Sequence, residues 1–221
     1  MFSTVRRPSQ GVVIARALAC AKRVKDNRVS FAVEPPMPRA PLIAREMLPP
    51  DRQPLYDQIA AQRGHVALPF AALLNSPEVA ARVAALGEQL RYSGAAIPAE
   101  VRETVTLAVA RNMRCQYIFT HHVASAKQAG LREEVVQVIR DVAPPRRLLP
   151  KEGVFVQFTR ELLEEKRVRD ATYAAVEHLL GRQATIDLIV TIGYYALQCY
   201  VVNALGIELE EGVQPLMPSL P

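Results

Sequence analysis

Cysteine is scarce in this chain, and the little there is excludes two classes of protein. Cys20, Cys115 and Cys199 are the only three in 221 residues, an odd number with no CxxC spacing, which builds neither a disulfide framework nor a zinc site. Strict apolar–polar alternation is absent too, so no half-buried strand is expected. Glycines stand mostly at segment ends and form no phosphate-binding cluster. Neither a metal nor another cofactor is expected on these grounds. Beyond residue 50 the chain also lacks any excess of positive charge. Residues 1–50 hold nine Lys or Arg against Asp26, Glu34 and Glu46, and the remainder holds 18 basic and 19 acidic residues. A body with a net charge of −1 has no bulk electrostatic pull toward nucleic acid or an anionic membrane.

Half of the residues are hydrophobic, and a chain of this length buries a sizeable core. The sequence divides into a basic, Pro-rich extension at 1–50, a helical domain at 51–210 and a short tail at 211–221. The first 25 residues contain no acid, yet Arg16 interrupts the short apolar run Val12 to Leu18, which reads as an extension and not as a targeting segment. Pro35, Pro36, Pro38, Pro41, Pro49 and Pro50 predict an extended strap. Asp51 is expected to cap a helix reaching Arg63. Ser76 with Pro77 opens the next, along which Val79, Val83, Leu86 and Leu90 form a stripe expected to face the core. Pro98 opens a helix bearing Glu103, the turn falls at Asn112 to Arg114, and the following helix stops at Gly130. Helices around Phe155 and after Asp170 follow. Ile186 to Ile207 is apolar enough to raise a membrane question, but Asp187, Gln198 and Asn203 fall inside it. A core or subunit-interface helix in a cytoplasmic protein is expected.

The most informative stretch is CQYIFTHH at 115–122. Seven residues at 3.6 per turn bring Cys115 and His122 back to nearly one face, with Ile118 between them. An antiparallel hairpin with the preceding helix would add the carboxylate of Glu103. Acid, thiol and imidazole in one cleft would make a chemical site. The matching twelve-residue spacings, Glu103 to Cys115 and Asp187 to Cys199, are read as chance or a faint repeat.

NSPEVAARVAALGEQLR at 75–91, IPAEVRETVTLAVARNMRCQYIFTHHVASAKQAGL at 97–131 and IGYYALQCYVVNALGIEL near the end together resemble the carboxymuconolactone decarboxylase family, whose superfamily includes the alkylhydroperoxidase D proteins. The resemblance runs from about Leu48 to Ile207. It implies an all-α, compact multi-helix bundle of the alkylhydroperoxidase D-like type, usually homo-oligomeric, with its site near the hairpin. By the resemblance, Glu103 falls on the acid of alkylhydroperoxidase D, Cys115 on its first cysteine and His122 on the histidine closing its motif. Ile118 stands where the second cysteine would be, and also where many decarboxylase-like relatives have Glu. This chain reads Tyr117, Ile118, Phe119 there.

Three functional classes follow. The first is a cofactor-free acid–base lyase acting on a small unsaturated carboxylate or lactone. In it His122 is the general acid, Glu103 orients it, and Arg111, Arg114 and Tyr117 receive the substrate. The second is a thiol peroxidase using Cys115 without an internal resolving cysteine, the first-turn position and neighbouring Arg114 favouring its thiolate. The third is a helical oligomer without catalysis. His121 is expected on the exposed side of its helix, and Tyr195 and Cys199 in packing.

Overall fold

The segment Ala99–Asn112 is apolar from Val105 to Ala110 apart from Thr106, and a helix with such a centre belongs inside a protein. In the structure, a computed structural model describing residues 38–93 and 96–218, it is the axis around which the other helices pack. Nine α-helices and no strand occur among the described residues. They are α1 (Gln53–Arg63), α2 (Leu68–Leu73), α3 (Pro77–Glu88), α4 (Ala99–Asn112), α5 (Gln116–Gln128), α6 (Glu133–Arg140), α7 (Pro150–Arg160), α8 (Asp170–Leu180) and α9 (Arg182–Leu205). Two of them continue into π-helical turns, α3 into Gln89–Ser93 and α7 into Glu161–Glu165.

Helix α4 packs against α5, α6, α7 and α9. Its Val105, Leu107 and Val109 are fully buried with Phe119 of α5, Phe158 of α7 and Leu188 of α9. A smaller cluster of Ile59, Phe70, Leu74, Ala80 and Ala84 joins α1, α2 and α3. Burying a side chain of this kind is worth roughly 1.5–3 kcal/mol, and that burial holds α4 in place.

Helix ends follow the sequence in some places and depart from it in others. Ser76 precedes α3 with Pro77 in its first turn, but Val79 and Leu86 are exposed and the face turned to the core carries Ala80, Ala84 and Gly87. Gly130 and Gly206 adopt φ of 82° and 64°, and the next residues donate back five positions, Leu131 N to Ala126 O at 2.9 Å and Ile207 N to Val202 O at 3.0 Å. This is the Schellman closure, for which glycine is suited. The same closure ends α4 and α6 without glycine, at Arg114 and Val142, both with φ of 54°. Asp51 does not cap α1, because Arg52 holds the cap position. Asp170 is the first helical residue of α8, after Arg169 at its cap.

The extension through residue 37, with Cys20, lies outside the described residues. Residues 38–50 lie on the helical body: Leu48 is buried, Ile43 N donates to Ala71 O at 3.0 Å and Arg39 N to Leu205 O at 2.8 Å. After α9 the chain runs back as a strap, 206–218. It is pinned by buried Ile207 and Met217 and by Leu216 N donating to Thr120 Oγ1 at 3.2 Å. Helix α9 is long and apolar enough to cross a membrane by composition; here one face covers the core through Leu188, Ile192, Tyr195 and Val202.

Candidate active site

The left-handed turn at Arg114 reverses the chain and lays α5 against α4. That places His122, on the second turn of α5, beside Glu103 on the second turn of α4, and His122 Nδ1 lies 2.7 Å from Glu103 Oε2. Glu103 is only 1% exposed. A buried carboxylate needs partners, and its other oxygen, Oε1, faces Arg91 Nη2 at 3.1 Å and Arg102 Nε at 3.6 Å. Burial works against the Glu103 charge. The His122 hydrogen bond and the positive charges of Arg91 and Arg102 prevail, so its pKa lies below the ordinary carboxylate value.

Arg91 comes from the π-helical turn after α3 and also donates through Nη1 to the Tyr195 hydroxyl. Burial opposes its charge, but Tyr195 and Glu103 outweigh that and raise its pKa. The Tyr195 pKa is raised, chiefly by burial, so its hydroxyl keeps its proton. The His122 ring stands edge-on to Tyr195 at 5.0 Å, and Tyr195 stands edge-on to Tyr194 at 5.2 Å.

Burial lowers the His122 pKa and wins over the opposing hydrogen bond to Glu103. With Glu103 ionised, the proton of the neutral imidazole belongs on Nδ1, facing the carboxylate. Nε2 then carries a lone pair, and it has no hydrogen-bond partner among the described residues. The ring borders a cavity of about 280 Å³ whose walls include Tyr195, Gln198, Ile118, Phe70, His121 and Glu210. Gln198 is 3% exposed. Its Nε2 donates to the Tyr194 hydroxyl at 3.1 Å, while its Oε1 is buried without a partner among the described residues.

Cys115 does not join this group. It is fully buried in the core and does not border the cavity. The periodicity argument fails there because Cys115 is the cap residue of α5, with φ −96° and ψ 93°, so helical rotation starts only at Gln116. Its thiol turns toward Cys199 of α9, and the two share a hydrogen bond that lowers the Cys115 pKa, against burial, and raises that of Cys199. The sequence assigned Cys199 to packing; its pairing with Cys115 joins positions too far apart for any local motif to announce.

Arg111 and Arg114 also lie elsewhere. Together they border a separate groove with Arg160 and Glu164, and Arg111 Nε donates to the Arg140 carbonyl at 2.7 Å. Tyr117 does border the His122 cavity, its hydroxyl donating to Glu210 Oε1 at 2.8 Å. Ile118 supplies an apolar patch of wall. Arg91, Tyr195, Gln198 and Glu210, none marked by the 115–122 stretch, complete the surroundings.

A helical bundle whose central hairpin joins a buried carboxylate to a histidine at a small cavity defines a class of fold. It is that of the alkylhydroperoxidase AhpD core: the chain is similar to an uncharacterized peroxidase-related protein from Ralstonia eutropha JMP134 described under that heading. The TM-score is 0.64 at 18% identity, over 80% of this chain and 94% of that one. At that identity the likeness is one of fold. Residues 77–161, from α3 into the π-helical turn after α7, match the carboxymuconolactone decarboxylase family. No curated protein matches the chain.

Proposed function

We propose that this protein is a cofactor-free acid–base lyase acting on a small unsaturated carboxylate or lactone, with His122 as its proton-transfer residue. The observation that carries the reading is the Glu103–His122 pair at 2.7 Å, which leaves Nε2 unpartnered at the edge of the cavity. Neutral His122 takes the proton of a bound carboxyl group as carbon dioxide departs. The electron pair left on carbon spreads into the conjugated carbonyl, and the imidazolium returns the proton to carbon. Proton and electrons balance without a further reactant. The resting imidazole is therefore a base first and an acid second. Tyr195, whose hydroxyl keeps its proton beside Arg91, favours the developing enolate oxygen. Release of carbon dioxide from a panel of five-membered unsaturated lactone acids tests this: His122→Gln abolishes turnover and Cys115→Ser leaves it.

The Cys115–Cys199 pair supports a second reading, a thiol peroxidase. Two thiols and one hydroperoxide would give a disulfide, an alcohol and water. Peroxide consumption lost on Cys115→Ser and kept on His122→Gln would favour it over the lyase.

The proposed function includes self-association. Ile186, Val190, Leu197 and Tyr200 are exposed on α9 at spacings of four, seven and three, a single stripe suited to pairing with the same helix of another copy. Sedimentation of the Leu197→Glu, Tyr200→Glu double variant as a monomer, against an oligomeric parent, is the expected result.

A further inference from the structure

Helix α5 carries a second histidine next to the first, and the structure gives it a carboxylate of its own. His121 Nε2 lies 2.8 Å from Glu210 Oε2, and the other oxygen of Glu210 accepts from the Tyr117 hydroxyl at 2.8 Å. The His121 and Tyr117 rings are 4.5 Å apart. Glu210 belongs to the strap that follows α9, outside the stretch matched by the family. With each oxygen held by a different partner, the carboxylate is fixed in orientation. His121 Nε2 is thereby occupied, and Nδ1 has no hydrogen-bond partner among the described residues.

Both histidines border the same cavity. Successive residues of a helix differ by about 100° in direction, so the two imidazoles reach it from different sides. Their surroundings differ as well. The His122 side chain is 14% exposed with Glu103 sealed behind it, whereas the His121 and Glu210 side chains are each 40% exposed. The inner imidazole is held neutral by burial. The outer one is open to solvent and faces a carboxylate. Two titratable groups at one cavity in contrasting environments are the usual basis for dividing acid from base.

We propose that His121, held by Glu210 and Tyr117, is a second proton-transfer residue of this cavity, so that its substrates include unsaturated lactones that give a proton to His122 from one carbon and take one from His121 at another. The proposal rests on the acid–base reading of His122. In the first step a C–H bond beside the lactone carbonyl breaks, its proton goes to His122 Nε2 and its electron pair spreads over the dienolate. In the second, the far carbon of the dienolate takes the Nδ1 proton of the His121 imidazolium. The product is an isomer of the substrate with its double bond moved. His122 has gained the proton that His121 lost, and exchange with solvent through the mouth restores both.

α-Angelica lactone is a suitable probe, because its ring methylene lies between a carbonyl and a double bond. Incubated in deuterium oxide and followed by proton NMR, it reports two events separately. Exchange at the methylene needs only the base, while conversion to the conjugated isomer, with deuterium on the methyl-bearing carbon, needs both groups. The wild-type protein is expected to do both. His121→Gln and Glu210→Gln should keep exchange within about twofold while isomerisation falls at least tenfold, within the range for loss of a general acid. Retained exchange also shows that these variants are folded with the inner site intact. Isomerisation by His121→Gln at the wild-type rate would overturn the role of His121 and leave that of His122 standing. Absence of exchange by the wild-type protein would remove both.

Discussion

Glu103 and His122 are nineteen positions apart in the chain, share a 2.7 Å hydrogen bond, and titrate in the same sense. Burial holds His122 below its ordinary value of 6.5, and the partners of Glu103, prevailing over burial, hold it below 4.5. Each group binds fewer protons folded than unfolded between its lowered value and its ordinary one, so stability rises with pH across that window. The contribution is complete above the ordinary value and is lost as pH falls through the folded one. Urea midpoints measured from about pH 7 to pH 5 should fall for the wild type and fall less for His122→Gln, which has no imidazole to protonate. The acid limb of the activity profile should lie below the ordinary imidazole value, with the base form persisting into mild acid. A limb at or above that value would contradict the burial argument.

Arg91 is the cation that Glu103 and Tyr195 share. Replacing it with Met leaves a carboxylate in the core facing one cation fewer, and breaking a buried pair from one side costs roughly 3–5 kcal/mol. Arg91→Met is therefore expected to lower stability by about 3 kcal/mol, measured by chemical denaturation. Arg91→Met combined with Glu103→Gln should recover much of it, because the unpaired charge is gone. An additive double variant would show that the pair is not coupled.

The helical bundle and the hairpin at its centre were legible because local residues mark them: Ser76 with Pro77, Pro98 and Gly130 punctuate apolar periods of the right length. Glu103 and His122 were legible through the resemblance to a family. Arg91, Tyr195, Gln198 and Glu210 were not, since each reaches the cavity from a segment with no motif and meets partners distant in the chain. Cys115 misled for a local reason. Counting 100° per residue presumes a helix from the first residue, and a cap residue with extended backbone breaks the count. Arg114 and Val142 at left-handed positions carried no glycine to announce them.

Gly87 faces Tyr194 at close range. A Cβ at that position would run into the Tyr194 hydroxyl, and Tyr194 is itself buried and tied to Gln198. Gly87→Ala must therefore displace the ring that shapes one wall of the cavity. The expected cost is about 1–3 kcal/mol, with weaker ligand binding. Gly87→Ala combined with Tyr194→Phe, which removes the clashing oxygen, should restore part of the stability. No change in the urea midpoint for Gly87→Ala alone would show that the ring yields freely.

Val142 and Gly130 close their helices by the same backbone route, yet only one has the residue suited to it. Val142 is half exposed, so its side chain gives up little packing, while a left-handed non-glycine residue costs roughly 1–2 kcal/mol. Part of that gain is offset by the greater freedom of an unfolded glycine, leaving about 0.5 kcal/mol in favour of Val142→Gly. The reverse exchange at Gly130, where an added Cβ meets nothing within 4 Å, isolates the backbone cost. Gly130→Val should destabilise by about 1–2 kcal/mol. Thermal melts of the two variants should move in opposite directions.

Cys115 and Cys199 are both fully buried, and their hydrogen bond divides their acidities. The bond lowers the Cys115 pKa although burial opposes it, and raises that of Cys199 with burial adding to the effect. On raising the pH, Cys115 should therefore ionise before Cys199, its thiolate absorbance in the ultraviolet identified by its loss in Cys115→Ser. Cys199→Val removes the donor and leaves only burial and the two backbone N–H groups of Tyr117 and Ile118 acting on Cys115, so the Cys115 titration should move to higher pH. A bulky thiol reagent should modify neither residue in the folded protein and both once urea has unfolded it. Hydrogen peroxide is small enough to separate the two functional readings: two thiols and one peroxide give a disulfide and two waters. A wild-type protein that keeps both thiols under peroxide, while His122→Gln still abolishes decarboxylation, leaves Cys115 and Cys199 as packing at the hairpin turn. Rapid loss of both thiols in the wild type, with Cys115 stopping at a sulfenic acid in Cys199→Val, would make them a redox pair.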